Sequence, residues 1–218
     1  MIVDGFFDWA ERMPGPANKV WPDTNSNEAV VFHSAVGSLQ GVINVVFRPF
    51  NPGDETTKRS VTGVVGYDGG FVQFYPVTAS PWANGSYEFN QRYLGFEFEG
   101  GADTPETVSE PLTTAQVDAA VHILRDLAGW KNVSPTYWER PWTLKEHREL
   151  VATSCPSGRI PWDVILAALK PGPVAPDKLL DLTFLVDVGY FITHDWDFTA
   201  MQPWQKELMA DWNRRANG

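Results

Sequence analysis

Short apolar runs of strand length, separated by turn signals and joined only later by helical segments, constrain the fold of this chain most. Glu28 to His33 is an apolar run that ends in a histidine and reads as a short buried strand. Gly41 to Phe50 holds a second apolar run, Val42 to Phe47, and Asn51 to Arg59 is a polar loop. Val61 to Val65 and Gly70 to Tyr75 flank Tyr67-Asp68-Gly69-Gly70, a strong hairpin signal. Pro76 to Asn90 reads as a long loop, and Tyr93 to Phe98 as another strand, closed by Gly100-Gly101.

Helical signals begin at Thr113-Thr114-Ala115-Gln116, a capping box with Thr113 as N-cap. Behind it Val117, Val121, Leu124 and Ala128 fall on one helical face, and Gly129 is the expected stop. Pro135 to Thr153 reads as mostly loop and carries His147; Trp162 to Leu169 reads as a helix opened by Pro161. Strands first, then interleaved helices, predict an α/β fold: a central mixed β-sheet flanked by helices. Lys170-Pro171-Gly172-Pro173 is the best linker candidate. We therefore expect one domain over residues 1–170, with an arm over 1–28, and a small C-terminal helical extension over 171–218. That extension holds an apolar run from Leu179 to Val188 and an amphipathic segment from Trp204 to Arg214. Its Trp196, Trp204 and Trp212 either bind a polymeric ligand or pack on the domain.

The chain's 218 residues suffice for a sizeable core, and 43% hydrophobic with 20% charged residues marks a globular protein. A net charge of -10 disfavours nucleic acid as a partner. The apolar runs are too short to span a bilayer, so no membrane insertion is expected. Met1 to Trp9 lacks the pattern of a secretory signal, so synthesis in the cytoplasm is expected. A monomer is expected. Ten tryptophans supply aromatic faces for sugar stacking or for the core.

With one cysteine, no intramolecular disulfide forms, and Cys155 is a small buried hydrophobe, a nucleophile or a metal ligand. Its surroundings bear on that choice. His147 and Cys155 flank a short loop that Pro156 and Gly158 turn sharply, and His33 ends a buried strand. Two histidines and one cysteine make a sensible catalytic zinc site, three protein ligands with the fourth position open.

Four blocks, in order, carry a resemblance to a known family. They are the strand ending in His33, and the hairpin at Asp68-Gly69 followed by Val72-Gln73. Then come Trp82, Asn90 and the strand Leu94-Gly95-Phe96-Glu97-Phe98-Glu99-Gly100, and last the stretch from His147 to Thr153-Ser154-Cys155-Pro156. Across roughly residues 25–170 the chain resembles the amidase-2 family of N-acetylmuramoyl-L-alanine amidases. That family includes phage lysozymes of amidase type, cytoplasmic anhydromuramyl-peptide amidases and peptidoglycan recognition proteins. The resemblance implies one zinc ion on His33, His147 and Cys155. It implies Glu97 as general base, Thr153 as a hydroxyl that steadies the oxyanion, and Trp82 and Asn90 as substrate contacts. It implies hydrolysis of the amide between N-acetylmuramic acid and L-alanine in peptidoglycan or a muropeptide, as a phage or prophage endolysin released by a holin. The alternative is a recognition module that binds peptidoglycan without turnover.

Bland readings stand beside these. Glu97 and Glu99 alternate with aromatics and both lie on one face, as a solvated polar edge would. Thr153 fits a Ser/Thr turn. The chain also departs from the family: Val61 stands where many members have a catalytic tyrosine, Thr62 at a neighbouring histidine, and Ala83 at a histidine after the loop tryptophan. His122 is expected to be exposed, and His194 lies in the extension.

Overall fold

The computed structural model describes residues 1–100 and 110–170. The arm folds into short strands, β1 (Ile2–Val3), β2 (Phe6–Phe7), β3 (Glu11–Arg12) and β4 (Val20–Trp21). The domain continues through β5 (Ala29–Ser34), α1 (Leu39–Phe47), β6 (Gly63–Val65), β7 (Phe71–Gln73) and β8 (Ser80–Pro81). It ends with α2 (Tyr87–Arg92), β9 (Tyr93–Phe98), α3 (Thr114–Trp130), β10 (Leu144–Glu146) and α4 (Trp162–Leu169).

Six strands form one mixed sheet in the order β10-β5-β9-β6-β7-β3. β5 runs parallel to β9 and β10, β9 runs parallel to β6, and β6 and β7 form the antiparallel hairpin around Asp68-Gly69. All six residues of β5 are buried, as its unbroken apolar run requires of a central parallel strand. Period-two alternation then divides the sheet. Phe32, Leu94, Phe96 and Phe98 point to one face, where the apolar side of α3 covers them in the main core. Val64 and Val72 point to the other face, into a smaller core with Val46 of α1. The expected α/β sheet with flanking helices is therefore the observed one.

Several local expectations change. The apolar run 42–47 is helix α1, because Ser38 caps its first turn by accepting from Gly41 N–H at 3.2 Å. Gly129 does not stop α3, which runs to Trp130; Asn132, at φ 56°, takes the left-handed turn that ends it. The loop 76–90 contains β8 and leads into α2, whose first four residues it covers. The stretch 135–153 contains β10, an edge strand whose mixed side chains hid it. The arm does more than wrap the domain: β3 joins the edge of the six-stranded sheet beside β7, while β4 pairs with β8 in a separate two-stranded sheet. Lys19, fully buried in the arm, donates to the carbonyl of Val45 at 2.8 Å and so closes the last turn of α1. The linker at 170–173 beyond Lys170, the apolar run 179–188, the helix at 204–214, His194 and the extension as a whole lie outside the described residues. Among the described residues no helix is long and apolar enough to cross a membrane.

Candidate metal centre

The face of the sheet opposite α3 carries the chemistry. His33 sits next to last on β5, 2% exposed, in register with Glu97 on β9. His147 follows directly on β10, whose Glu146 pairs with Phe32, so the next residue comes level with His33. The two imidazole rings lie 4.4 Å apart. Cys155 returns from the following loop: its carbonyl accepts from Arg148 N–H at 2.9 Å, and its Sγ accepts from Ser34 N–H at 3.2 Å. One ligand atom from each of His33, His147 and Cys155 lies within 4.8 Å of the others.

The protonation states suit a cation. Burial holds His33 down to about 3, with the neighbouring His147 adding to the effect, and burial lowers His147 too. Both imidazoles are therefore neutral with a lone pair to give. The tautomer of His33 follows from its partner. Asn84 Nδ2 donates to the carbonyls of Tyr93 (2.8 Å) and Phe89 (3.4 Å), which turns its Oδ1 toward His33 Nε2 at 3.0 Å. Nε2 must then donate, and the lone pair lies on Nδ1, the atom 3.9 Å from Cys155 Sγ. His147 Nε2 is buried without a protein partner. Burial pushes the Cys155 thiol up to about 12, assisted by Glu97. That is the reverse of a free nucleophilic cysteine; a soft divalent cation is what makes such a thiol a thiolate. The donor set of two nitrogens and one sulfur fits zinc.

Glu97 faces the same side. Burial pushes its carboxyl up to about 7 against the pull of the Arg59 and Arg159 charges, and its Oε2 is buried without a partner. Glu99, two residues on, has its carboxylate engaged, accepting from Leu39 N–H at 2.7 Å and Tyr67 N–H at 2.8 Å. The solvated-edge reading therefore fails for both, for different reasons. Gly95 lets the Ala83-Asn84 loop and His33 approach β9 closely, because a Cβ there would stand 2.8 Å from Ala83 Cβ and 3.3 Å from His33 Nε2. Val61 and Thr62 are buried, and Thr62 Oγ1 has no partner.

Thr153 Oγ1 accepts from Cys155 N–H at 3.3 Å, the expected Ser/Thr turn. Asn90 is buried and accepts from Ala83 N–H (3.0 Å) and Asn84 N–H (2.6 Å), so it braces the loop that carries Asn84. Trp82 is half-buried, with its ring against Trp21 and Phe50 and below the Lys58 ammonium. Trp82 and Asn90 line a cleft of about 240 Å³ together with Trp21, Lys58, Arg59 and Tyr87. Sequence reasoning did not find Asn84; its one local signal was a polar residue beside Ala83 in an otherwise family-like loop. His122 is exposed as expected and stacks on Trp9 at 4.3 Å, remote from the three ligands in function and partners.

Comparison with known proteins gives the following. The family model described as N-acetylmuramoyl-L-alanine amidase matches residues 23–158, more than half of the chain. No curated protein matches by sequence. Among solved structures, the selenomethionine derivative of AmpD aligns with a TM-score of 0.57 at 16% identity, over 78% of this chain and 98% of that one. The endolysin N-acetylmuramoyl-L-alanine amidase LysCS from Clostridium intestinale aligns with a TM-score of 0.55 at 18% identity, over 77% and 99%. Peptidoglycan recognition protein SA from Drosophila aligns at 0.52 and 17% identity, over 68% and 83%. At these identities the likeness is one of fold.

Proposed function

The chain belongs to the Amidase_2 family of N-acetylmuramoyl-L-alanine amidases, and from that premise we propose that it hydrolyses the amide between N-acetylmuramic acid and L-alanine in bacterial peptidoglycan. The observation that carries this reading is the convergence of His33, His147 and Cys155 on one point beside a carboxylate held near neutrality. His33 and His147 would hold one zinc ion through neutral imidazoles and Cys155 through its sulfur. Zinc, when bound, supplies Lewis acidity that polarises the scissile carbonyl and acidifies water.

The protein's own groups do the rest. Glu97, whose Oε2 has no competing donor, takes a proton from the attacking water and passes it to the leaving nitrogen of L-alanine. A carboxyl that burial raises above its ordinary value suits both transfers, since it gives up and takes back a proton more evenly at neutral pH than a solvated carboxylate does. Thr153 spends its oxygen on Cys155 N–H and keeps its hydrogen to donate to the developing oxyanion. The cleft along Trp21, Trp82 and Tyr87 offers aromatic faces and the Lys58 and Arg59 charges to a substrate that carries sugar rings and carboxylates. Asn90 shapes its wall. An endolysin setting, with action on the cell wall, agrees with the endolysin among the structures of like fold.

The test is the appearance of new L-alanine amino ends on purified peptidoglycan, with chelator and with zinc restored. Ends that vanish with chelator and return with zinc are expected. Zinc bound and walls retained without new ends would replace the amidase by a recognition module.

A further inference from the structure

Arg159 is 1% exposed, and among the described residues no carboxylate forms an ion pair with its guanidinium, although the Glu97 and Glu110 charges act on it. Its partners come from three separate segments. Nη1 donates to Ser34 Oγ at 2.6 Å, Nη2 to the carbonyl of Glu99 at 3.1 Å, and Nε to the carbonyl of Glu110 at 2.6 Å. Its own backbone is fixed as well: its N–H donates to Pro156 carbonyl at 3.2 Å and its carbonyl accepts from Leu112 N–H at 3.1 Å.

Three of these contacts lie one or two residues from the centre. Ser34 follows His33 and gives its N–H to Cys155 Sγ; Glu99 lies two residues beyond Glu97; Pro156 follows Cys155. Gly100 has no room for a side chain, because a Cβ there would stand 2.5 Å from Arg159 Nη1. Burying a guanidinium is costly in stability alone even when it is hydrogen-bonded, so its place here points to a role in specifying geometry. Only a planar fork reaches three acceptors in three directions at once; an ammonium on a flexible stem does not.

We infer that Arg159 is a positioning residue for the metal centre: standing on the Cys155 loop, it ties that loop to the end of the His33 strand and to the end of the Glu97 strand through two arms of its fork, while the third arm holds Glu110. The inference rests on the zinc reading above. It touches neither substrate nor metal and acts through Ser34, Glu99 and the backbone at Pro156.

The test is the zinc dissociation constant of the full chain, by competition with a chromophoric chelator, for wild type, Arg159→Lys and Ser34→Ala. Far-ultraviolet circular dichroism and melting curves establish that each variant is folded. Arg159→Lys keeps the charge and loses the fork, and is expected to weaken zinc binding roughly 10- to 100-fold while still folded. Ser34→Ala removes one arm of the fork and is expected to shift the constant in the same direction by less. A folded Arg159→Lys with a lowered melting temperature and wild-type zinc affinity overturns the inference and leaves Arg159 a stabilising residue only. Should that variant fail to fold, unchanged affinity in Ser34→Ala overturns it equally. Wild type that binds no zinc would remove the metal reading itself, and this inference with it.

Discussion

The centre is made of two unlike halves. His33 and Glu97 stand on β5 and β9, neighbouring parallel strands in full register, buried on both faces of the sheet. Cys155 stands on an irregular stretch that regular backbone pairing does not hold. It is kept in place by single contacts: Ser34 N–H on its sulfur, Arg148 N–H on its carbonyl, the Thr153 hydroxyl and the Arg159 fork. His147, at the end of β10, joins the two. A strand-borne group is positioned redundantly, since neighbouring ladder bonds survive the loss of any one. A loop-borne group depends on each contact. A change at Glu97, which holds no metal, should therefore delete chemistry and leave the metal in place, whereas changes to bracing contacts should loosen the metal.

The largest effect expected lies on the strand side. Glu97→Gln preserves shape and removes the proton acceptor, so kcat should fall roughly 10²- to 10⁴-fold. Zinc content, measured by atomic absorption on the same preparation, should stay at the wild-type level. A variant that loses zinc in parallel with activity would make Glu97 part of the metal's support and erase the division between the halves.

A smaller effect tests whether the division is complete, because one strand residue is itself braced from a loop. Asn84 fixes the tautomer of His33, and Asn84→Ala removes the acceptor for Nε2. Zinc affinity should fall about 10- to 100-fold. Unchanged affinity in a chelator competition would mean that strand register alone orients His33.

The same division explains what was legible in the sequence. The strands that bear His33 and Glu97 follow from local apolar patterning, the roles of those two residues came only from the family resemblance, and the capping box at Thr113 found the start of α3. Patterning could not separate Glu97 from Glu99, because what distinguishes them is remote: the N–H groups of Leu39 and Tyr67 reach one carboxylate and not the other. Asn84 and Arg159 were missed for the same reason, since their partners lie 51 and 125 residues away in the cases of His33 and Ser34. The sequence reading also missed β10, where Leu144-Lys145-Glu146 has no strand-like alternation of its own and pairs only because β5 offers an edge. The stop at Gly129 failed because a glycine followed by Trp130 can complete the turn, while Asn132 two residues later adopts the left-handed conformation.

The smallest effect compares the two glutamates in stability, on protein stripped of metal so that no cation lowers the Glu97 carboxyl. That carboxyl rises from 4.5 to about 7 on folding. Its raised value means that its contribution to stability is fully present below about pH 4.5 and is lost as pH rises through 7. Glu97→Gln cannot ionise, so it should match wild type in acid. It should become more stable than wild type above neutrality, by on the order of 3 kcal/mol. Glu99→Gln should do the opposite and by less: with one oxygen for two N–H donors, it should lose about 1 kcal/mol near neutral pH. Urea midpoints across a pH series distinguish them. Two curves that shift alike would mean that Glu97 has partners in solution equivalent to Leu39 and Tyr67, and that its carboxyl is not held ready for proton transfer.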